Sequence, residues 1–248
     1  MRGSVEEYLL KRLKSEKAIH LTLLDPEKVD PRNTSGISRI VQSAGSAGIM
    51  IGGSTSTSVY HLDKIVKAVK KTVGIPAILF PNDVTGISRY ADAVFFMSLL
   101  NSSNPYYITG AQALGAPLVK RYGLEAISLG YLIVGEGGGA AGFIGQARPI
   151  PYEKPELAGI YALAAQYLGM HLVYLEAGSG AEKPVPPEMI RTVKRMVEVP
   201  LIVGGGIRSP EAAVSAVKAG ADMVVTGTLI ERSSREIRKI IQSIRAVK

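Results

Sequence analysis

The sequence contains no cysteine and no tryptophan. Without thiols there is no disulfide framework, no thiolate nucleophile and no cysteine-ligated zinc, and the usage reads as that of a cytoplasmic protein. Aromatic residues make up only 6% of the chain, which argues against the stacking platform a single-strand nucleic-acid binder needs. Histidine is scarce as well. His20, His61 and His171 lie far from one another and from carboxylates at metal-ligand spacing, so they read as packed or surface residues, not as a metal site or a Ser/His/Asp triad. No segment approaches the roughly 18 uninterrupted apolar residues of a membrane span. The first eight residues carry Glu6 and Glu7 where a signal peptide would need an apolar stretch.

What the chain does have is positive charge and glycine. Against 21 acidic residues stand 29 Lys and Arg, a net charge of +8. That excess suits nucleic acid, an anionic membrane surface or a phosphorylated substrate. The basic residues are scattered at helical spacing, as in Lys64/Lys67/Lys70/Lys71 and Arg232/Arg235/Arg238/Lys239, and read as solvated helix faces. No nucleic-acid partner is expected. At 248 residues with 46% hydrophobic content, residues 1–248 fit one large α/β domain.

The 27 glycines are not evenly spread. The apolar run 200–203 ends in Gly204-Gly205-Gly206, and Ser209-Pro210-Glu211 then reads as N-cap, first helical position and first-turn acid. A second apolar run, 222–226, ends in Gly227-Thr228. Two adjacent strands therefore end in turns rich in bare N–H groups, which is the arrangement that binds anions.

Read in order, the chain alternates short apolar strands (18–24, 48–51, 75–80, 93–100, 125–134, 171–176 and the two above) with helical segments, after a leading amphipathic helix over 3–16. Eight such units predict a closed (β/α)8 barrel, whose loops after strands 7 and 8 commonly clamp phosphate. Residues 84–91 are too short for a full helix, so helix 3 is expected to be degenerate. Residues 135–153 are expected to form a long loop acting as a lid. Within it, Gly137-Gly138-Gly139-Ala140-Ala141-Gly142 matches the dinucleotide fingerprint, but the sequence shows no helix opening there.

Two acids stand out at strand ends. Asp25 follows strand 1 and suits Mg²⁺, which is normally held by one or two carboxylates plus substrate phosphates; Ser54, after strand 2, is a candidate hydroxyl partner. Glu176 ends strand 6 ahead of the donor-rich turn Gly178-Ser179-Gly180 and suits proton acceptance from a hydroxyl nucleophile.

With these residues in view, the sequence resembles the geranylgeranylglyceryl phosphate synthases. The likeness rests on Tyr174-Leu175-Glu176-Ala177-Gly178-Ser179-Gly180, Gly204-Gly205-Gly206-Ile207-Arg208, Gly227-Thr228, Leu24-Asp25-Pro26, Gly52-Gly53-Ser54-Thr55 and Leu100-Asn101-Ser102-x-Asn104-Pro105-Tyr106-Tyr107-Ile108, and spans the chain. It implies a modified TIM barrel and a cytoplasmic prenyltransferase. The implied reaction is Mg²⁺-dependent transfer of geranylgeranyl from its diphosphate to the C3 hydroxyl of sn-glycerol 1-phosphate, which forms the first ether bond of archaeal phospholipids. Residue by residue, it puts metal at Asp25 and Ser54, glycerol phosphate against Tyr174, Leu175, Glu176, Ala177, Gly178, Ser179, Gly180, Gly205, Gly206, Gly227 and Thr228, and the base at Glu176. Phe95, Met97, Leu100, Leu129 and Tyr131 are candidates for the prenyl groove, ended by Tyr106, Tyr107 or Tyr131. The resemblance also implies a homo-oligomer, dimer or hexamer, and a bilayer-borne donor suggests peripheral contact with anionic membrane. Two alternatives stand beside it: the same chemistry with a longer, heptaprenyl donor, and a sugar-phosphate isomerase or lyase. The latter normally adds a strand-end lysine, which this sequence lacks.

Overall fold

The computed structural model describes residues 3–53, 58–227 and 234–247. Eight parallel strands close in chain order into a barrel: β1 (Ile19–Leu24), β2 (Gly48–Ile51), β3 (Ala77–Leu79), β4 (Ala93–Leu99), β5 (Glu125–Gly138), β6 (Leu172–Gly178), β7 (Leu201–Gly204) and β8 (Met223–Thr226). Side chains alternate between the two faces of each strand. Leu21, Met50, Ile78, Phe95, Leu129, Ile202 and Met223 fill the interior, while Leu24, Ile51, Leu175 and Val203 pack outward against helices. The strands are therefore buried on both faces, which is why they read as continuous apolar runs.

The helices start where local chemistry favours starting. In α2 (Pro31–Ala44) the Asp30 side chain accepts from Arg32 N–H; in α3 (Val59–Thr72) Ser58 accepts from His61 N–H; in α8 (Pro210–Ala219) Ser209 accepts from Ala212 N–H. Proline opens α6 (Pro155–Tyr167), α7 (Pro187–Met196) and α8. The ring is completed by α9 (Ser234–Arg245). The leading helix α1 (Ser4–Ser15) closes the barrel foot with Val5 and Leu9, and both oxygens of Glu125 accept from its first free N–H groups, Val5 and Glu6, at 2.7 Å.

As expected, no full helix follows β3. A single 3-10 turn, Val84–Gly86, stands in its place. After β4 the chain makes one π-helical turn, Tyr106–Gly110, before α4 (Ala111–Tyr122).

The expected 135–153 loop is more ordered than its composition suggests. β5 runs on to Gly138, turning at Gly135 and Gly137, both with positive φ, and leads straight into α5 (Gly139–Ile144). The expectation that the glycine fingerprint opens no helix is thus corrected. The bare face of Gly142 allows the close packing: an added Cβ there would fall 1.7 Å from the Gly137 carbonyl oxygen. The segment is tied down by the Asn-Ser-x-Asn motif. Asn101 Nδ2 donates to the carbonyls of Ile133 and Arg148, the Ser102 hydroxyl donates to Gly145, and Ser103 N–H donates to Gln146.

Candidate active site

One cavity of about 470 Å³ opens at the carboxyl end of the strands. Its floor is aromatic. Phe80 stacks on Tyr174 at 5.7 Å between centroids, and Tyr131 meets both edge-on at 5.5 and 5.3 Å. Burial raises both tyrosines well above their usual pKa, with the Glu176 carboxylate adding to the effect, so each keeps its phenolic proton. The Tyr174 hydroxyl is buried beside the Glu176 carboxylate and makes no well-formed hydrogen bond among the described residues.

One end of the cavity is built from backbone. Glu176 is 6% exposed at the end of β6, and its Oε1 accepts from Gly178 N–H at 2.6 Å. Burial raises its pKa, opposed in part by the nearby Tyr174 hydroxyl, which sits outside hydrogen-bond geometry, and by the Gly178 amide. The turn after β7 comes close enough to touch that carboxylate. Gly205 has φ +83° and an added Cβ would fall 2.5 Å from Glu176 Oε1; Gly206 has φ +70°. Gly178, Ser179, Gly180, Gly205, Gly206 and Gly227 all border the cavity, so the turns after β6, β7 and β8 meet as the sequence predicts. Leu175 and Ala177 alternate to the outer face of β6, where their side chains join the outer core, and neither borders the cavity, which corrects their expected contact with the glycerol phosphate. Thr228 lies outside the described residues.

Arg208 was not singled out from sequence. It borders the cavity and its guanidinium donates to the carbonyls of Gly180 and Ala181 at 2.7 and 2.9 Å, locking the turns after β6 and β7 together. The available signal was a lone arginine in a glycine-rich anion turn.

Asp25 sits on the rim between the two ends. Its Oδ1 accepts from Glu27 N–H at 3.1 Å, its Oδ2 pairs with Lys28 Nζ at 3.0 Å, and both side chains border the cavity. An added Cβ at Gly53 would fall 2.7 Å from Asp25 Oδ1, so glycine there leaves the carboxylate accessible. Ser54 lies outside the described residues. Among those described, no three of His, Asp and Glu converge as a metal cluster. A single accessible carboxylate still fits Mg²⁺, which keeps waters and takes substrate phosphate oxygens. His61 supports the turn by donating from Nε2 to the Pro26 carbonyl at 2.7 Å.

The other end is apolar. Phe95, Met97, Tyr107 and Tyr131 line it as anticipated, but Leu129 is enclosed in the barrel interior, Leu100 packs against the outer core, and Tyr106 serves as an edge-on support for Tyr107 at 5.1 Å. Sequence reasoning missed Val84, Ile87, Val94, Phe96, Gly115 and Val119. They line the cavity because the 3-10 turn leaves the outer face of β4 without a helix to cover it. The signal was the short 84–91 segment itself.

The pattern of the PcrB family matches residues 11–247. Geranylgeranylglyceryl phosphate synthase of Thermofilum pendens is 52% identical over 248 residues, covering 100% of this chain and 96% of the relative. The Thermococcus kodakarensis synthase of the same name is 57% identical over 231 residues, 93% of this chain and 91% of its own. Among solved structures, (S)-3-O-geranylgeranylglyceryl phosphate synthase of Thermoplasma acidophilum, in complex with its substrate sn-glycerol-1-phosphate, superposes with a TM-score of 0.94 at 40% identity over the whole of both chains.

Proposed function

The chain belongs to the PcrB family, and from that premise we infer that it transfers the geranylgeranyl group of geranylgeranyl diphosphate to the C3 hydroxyl of sn-glycerol 1-phosphate. The observation that carries this reading is the two-ended cavity: amide-rich turns around a buried carboxylate at one end, an apolar channel at the other, and an accessible aspartate between them. A sugar-phosphate isomerase would have no use for the channel.

The glycerol phosphate is assigned to the turns after β6, β7 and β8, whose N–H groups suit its phosphate, with its hydroxyls toward Glu176 and Tyr174. In the reaction the allylic C–O bond of the donor breaks, diphosphate leaves, and the C3 oxygen forms the ether bond to the same carbon. The hydroxyl proton passes to Glu176, whose raised pKa makes it a better acceptor than an exposed carboxylate. The aromatic floor excludes water from the reacting carbon. We further propose that Asp25 and Ser54 hold Mg²⁺. Bound there, the ion supplies neutralisation of the departing diphosphate.

Two association properties follow. No helix among the described residues is long and apolar enough to cross a membrane, and peripheral contact with anionic lipid is the route proposed for a bilayer-borne donor. A homo-oligomer is proposed through α6, whose Leu157, Ile160, Tyr161 and Tyr167 form an exposed apolar stripe.

The test is turnover of labelled glycerol 1-phosphate with geranyl, farnesyl, geranylgeranyl and heptaprenyl diphosphates, with and without EDTA. An ether product maximal with geranylgeranyl and abolished by EDTA is expected. A heptaprenyl maximum would move the donor assignment, and no ether product from any donor would refute the reading. Product formation undiminished by EDTA would remove the metal. Co-sedimentation with phosphatidylserine vesicles and the mass in solution check the two association proposals; failure to sediment or a monomer would refute them.

A further inference from the structure

A buried polar network on the outer side of the barrel wall plays no part in the chemistry above. His20 alternates with Ile19 and Leu21, which face the interior, and so points outward from β1. It is 1% exposed. Its Nε2 lies 2.7 Å from the Thr226 hydroxyl and its Nδ1 lies 3.2 Å from that of Ser46. Thr22 closes the group, 3.1 Å from Ser46, and all four side chains are buried.

Burial lowers the His20 pKa to about 3, so the ring is neutral, with one donor nitrogen and one acceptor. The Ser46 hydroxyl has a single proton, and the Gly48 carbonyl is in reach at 3.0 Å. With that proton so placed, Nδ1–H donates to Ser46 and Nε2 accepts from Thr226. The imidazole then fixes the direction of the Thr226 hydroxyl across the β1–β8 seam.

The position of Thr226 gives the network its consequence. It is the last residue of β8, and the β1–β8 ladder ends at the Thr22–Thr226 pair. Thr226 itself and Gly227, the next residue, both border the cavity, while the Thr226 hydroxyl is turned to His20. The side-chain bond from His20 is thus the last fastening before the phosphate turn. We propose that His20 and Thr226 are positioning residues that set the Gly227 amide for the acceptor phosphate and so tune affinity for glycerol phosphate, not for the prenyl donor. This rests on the assignment of the glycerol phosphate to the β8 turn.

The test pairs variants that delete the bond with variants that keep it. Thr226→Val and His20→Leu remove the hydrogen bond at nearly constant volume; Thr226→Ser and His20→Gln retain a partner of similar reach. Calorimetric binding of sn-glycerol 1-phosphate is measured with both KM values and a thermal melt. The deleting variants are expected to raise Kd and KM for glycerol 1-phosphate about five- to tenfold, with the donor KM changed less than about twofold and the retaining variants close to wild type. The double variant is expected to be no worse than either single one. An unchanged Kd in folded Thr226→Val, or equal rises in both KM values, overturns the proposal. Should the deleting variants not fold, Ser46→Ala decides: it frees Nδ1 and is expected to weaken acceptor binding about two- to threefold, and no change refutes the network. Wild-type protein that binds no glycerol 1-phosphate refutes the functional assignment instead, a result the variants cannot mimic.

Discussion

The two ends of the cavity are made by opposite means. At the phosphate end the chain is tightly determined: Gly205 and Gly206 hold left-handed backbone, and the room for a single methyl group is already taken, at Gly205 by Glu176 and the Gly178 amide and at Gly206 by the Lys183–Pro184 backbone. At the apolar end the site exists because something is missing, a helix that would have covered β4. Backbone placed within tenths of an ångström serves recognition of a small, charged acceptor. An uncovered strand face lined by side-chain tips serves a long, featureless tail, and such a surface tolerates change. Substitutions at the first end should therefore abolish function, and those at the second should tune it.

The largest effect is expected at Glu176. Glu176→Gln keeps the size and an acceptor for Gly178 N–H but cannot take a proton, so kcat should fall about 10²- to 10⁴-fold. The same change should stabilise the folded protein. Burial raises the carboxyl above its ordinary value of 4.5, so between that value and the raised one the native state holds a proton that the unfolded chain releases. Stability is then lost as pH rises from 4.5 through the raised folded pKa, and glutamine removes that loss. A melting-temperature gap favouring Glu176→Gln, opening across that window and level above it, is the expected result. A variant less stable than wild type at neutral pH would show that the carboxylate is structural.

Next in size is Gly205→Ala. Left-handed backbone costs an ordinary residue roughly 1–2 kcal/mol, and the added Cβ would sit 2.6 Å from Gly178 N and 2.5 Å from Glu176 Oε1, so the turn must move. Overpacking of this kind typically costs a further ~1–3 kcal/mol. Urea unfolding should show a loss of about 2–5 kcal/mol, the two contributions combined. Acceptor binding should collapse while binding of a prenyl diphosphate survives. Equal loss of both ligands would erase the distinction between the two ends.

How much of this was legible beforehand follows the same division. The phosphate end is written in the sequence because backbone demands select residue types: only glycine suits positive φ beside a carboxylate, and proline after serine announces a helix start. The strand-end acids Asp25 and Glu176 were visible for the same reason. The apolar end was half visible, since Phe95 and Met97 lie on β4 in an obvious strand. The contributions of Ile87, Gly115 and Val119 come from elements brought together only by the fold, and an apolar residue on a helix looks the same whether it faces a core or a channel. The 135–153 segment misled because glycine content signals freedom, whereas Asn101 and Ser102 hold that freedom fixed from a distant strand end.

The smallest expected effects are at Gly115, and they test the tolerant end most closely. Its helical position faces the channel, and an added Cβ would lie 3.3 Å from Ile87 Cδ1 and 3.7 Å from Val84 Cγ1. Both neighbours are flexible side-chain ends, so alanine fits after a shift of a few tenths of an ångström. In a helix interior, alanine is favoured over glycine by about 1 kcal/mol. That gain offsets the crowding, and Gly115→Ala should melt within a few degrees of wild type. Gly115→Leu fills the channel instead. It should lower kcat/KM for geranylgeranyl diphosphate about tenfold while sparing farnesyl diphosphate, whereas alanine should penalise only donors longer than geranylgeranyl, by about two- to threefold. Neither change reaches the amide turns, so KM for glycerol 1-phosphate should hold in both. A rise in that KM would mean the two ends are coupled through the aromatic floor of Phe80, Tyr131 and Tyr174, and that the channel is held to the same tolerances as the phosphate site.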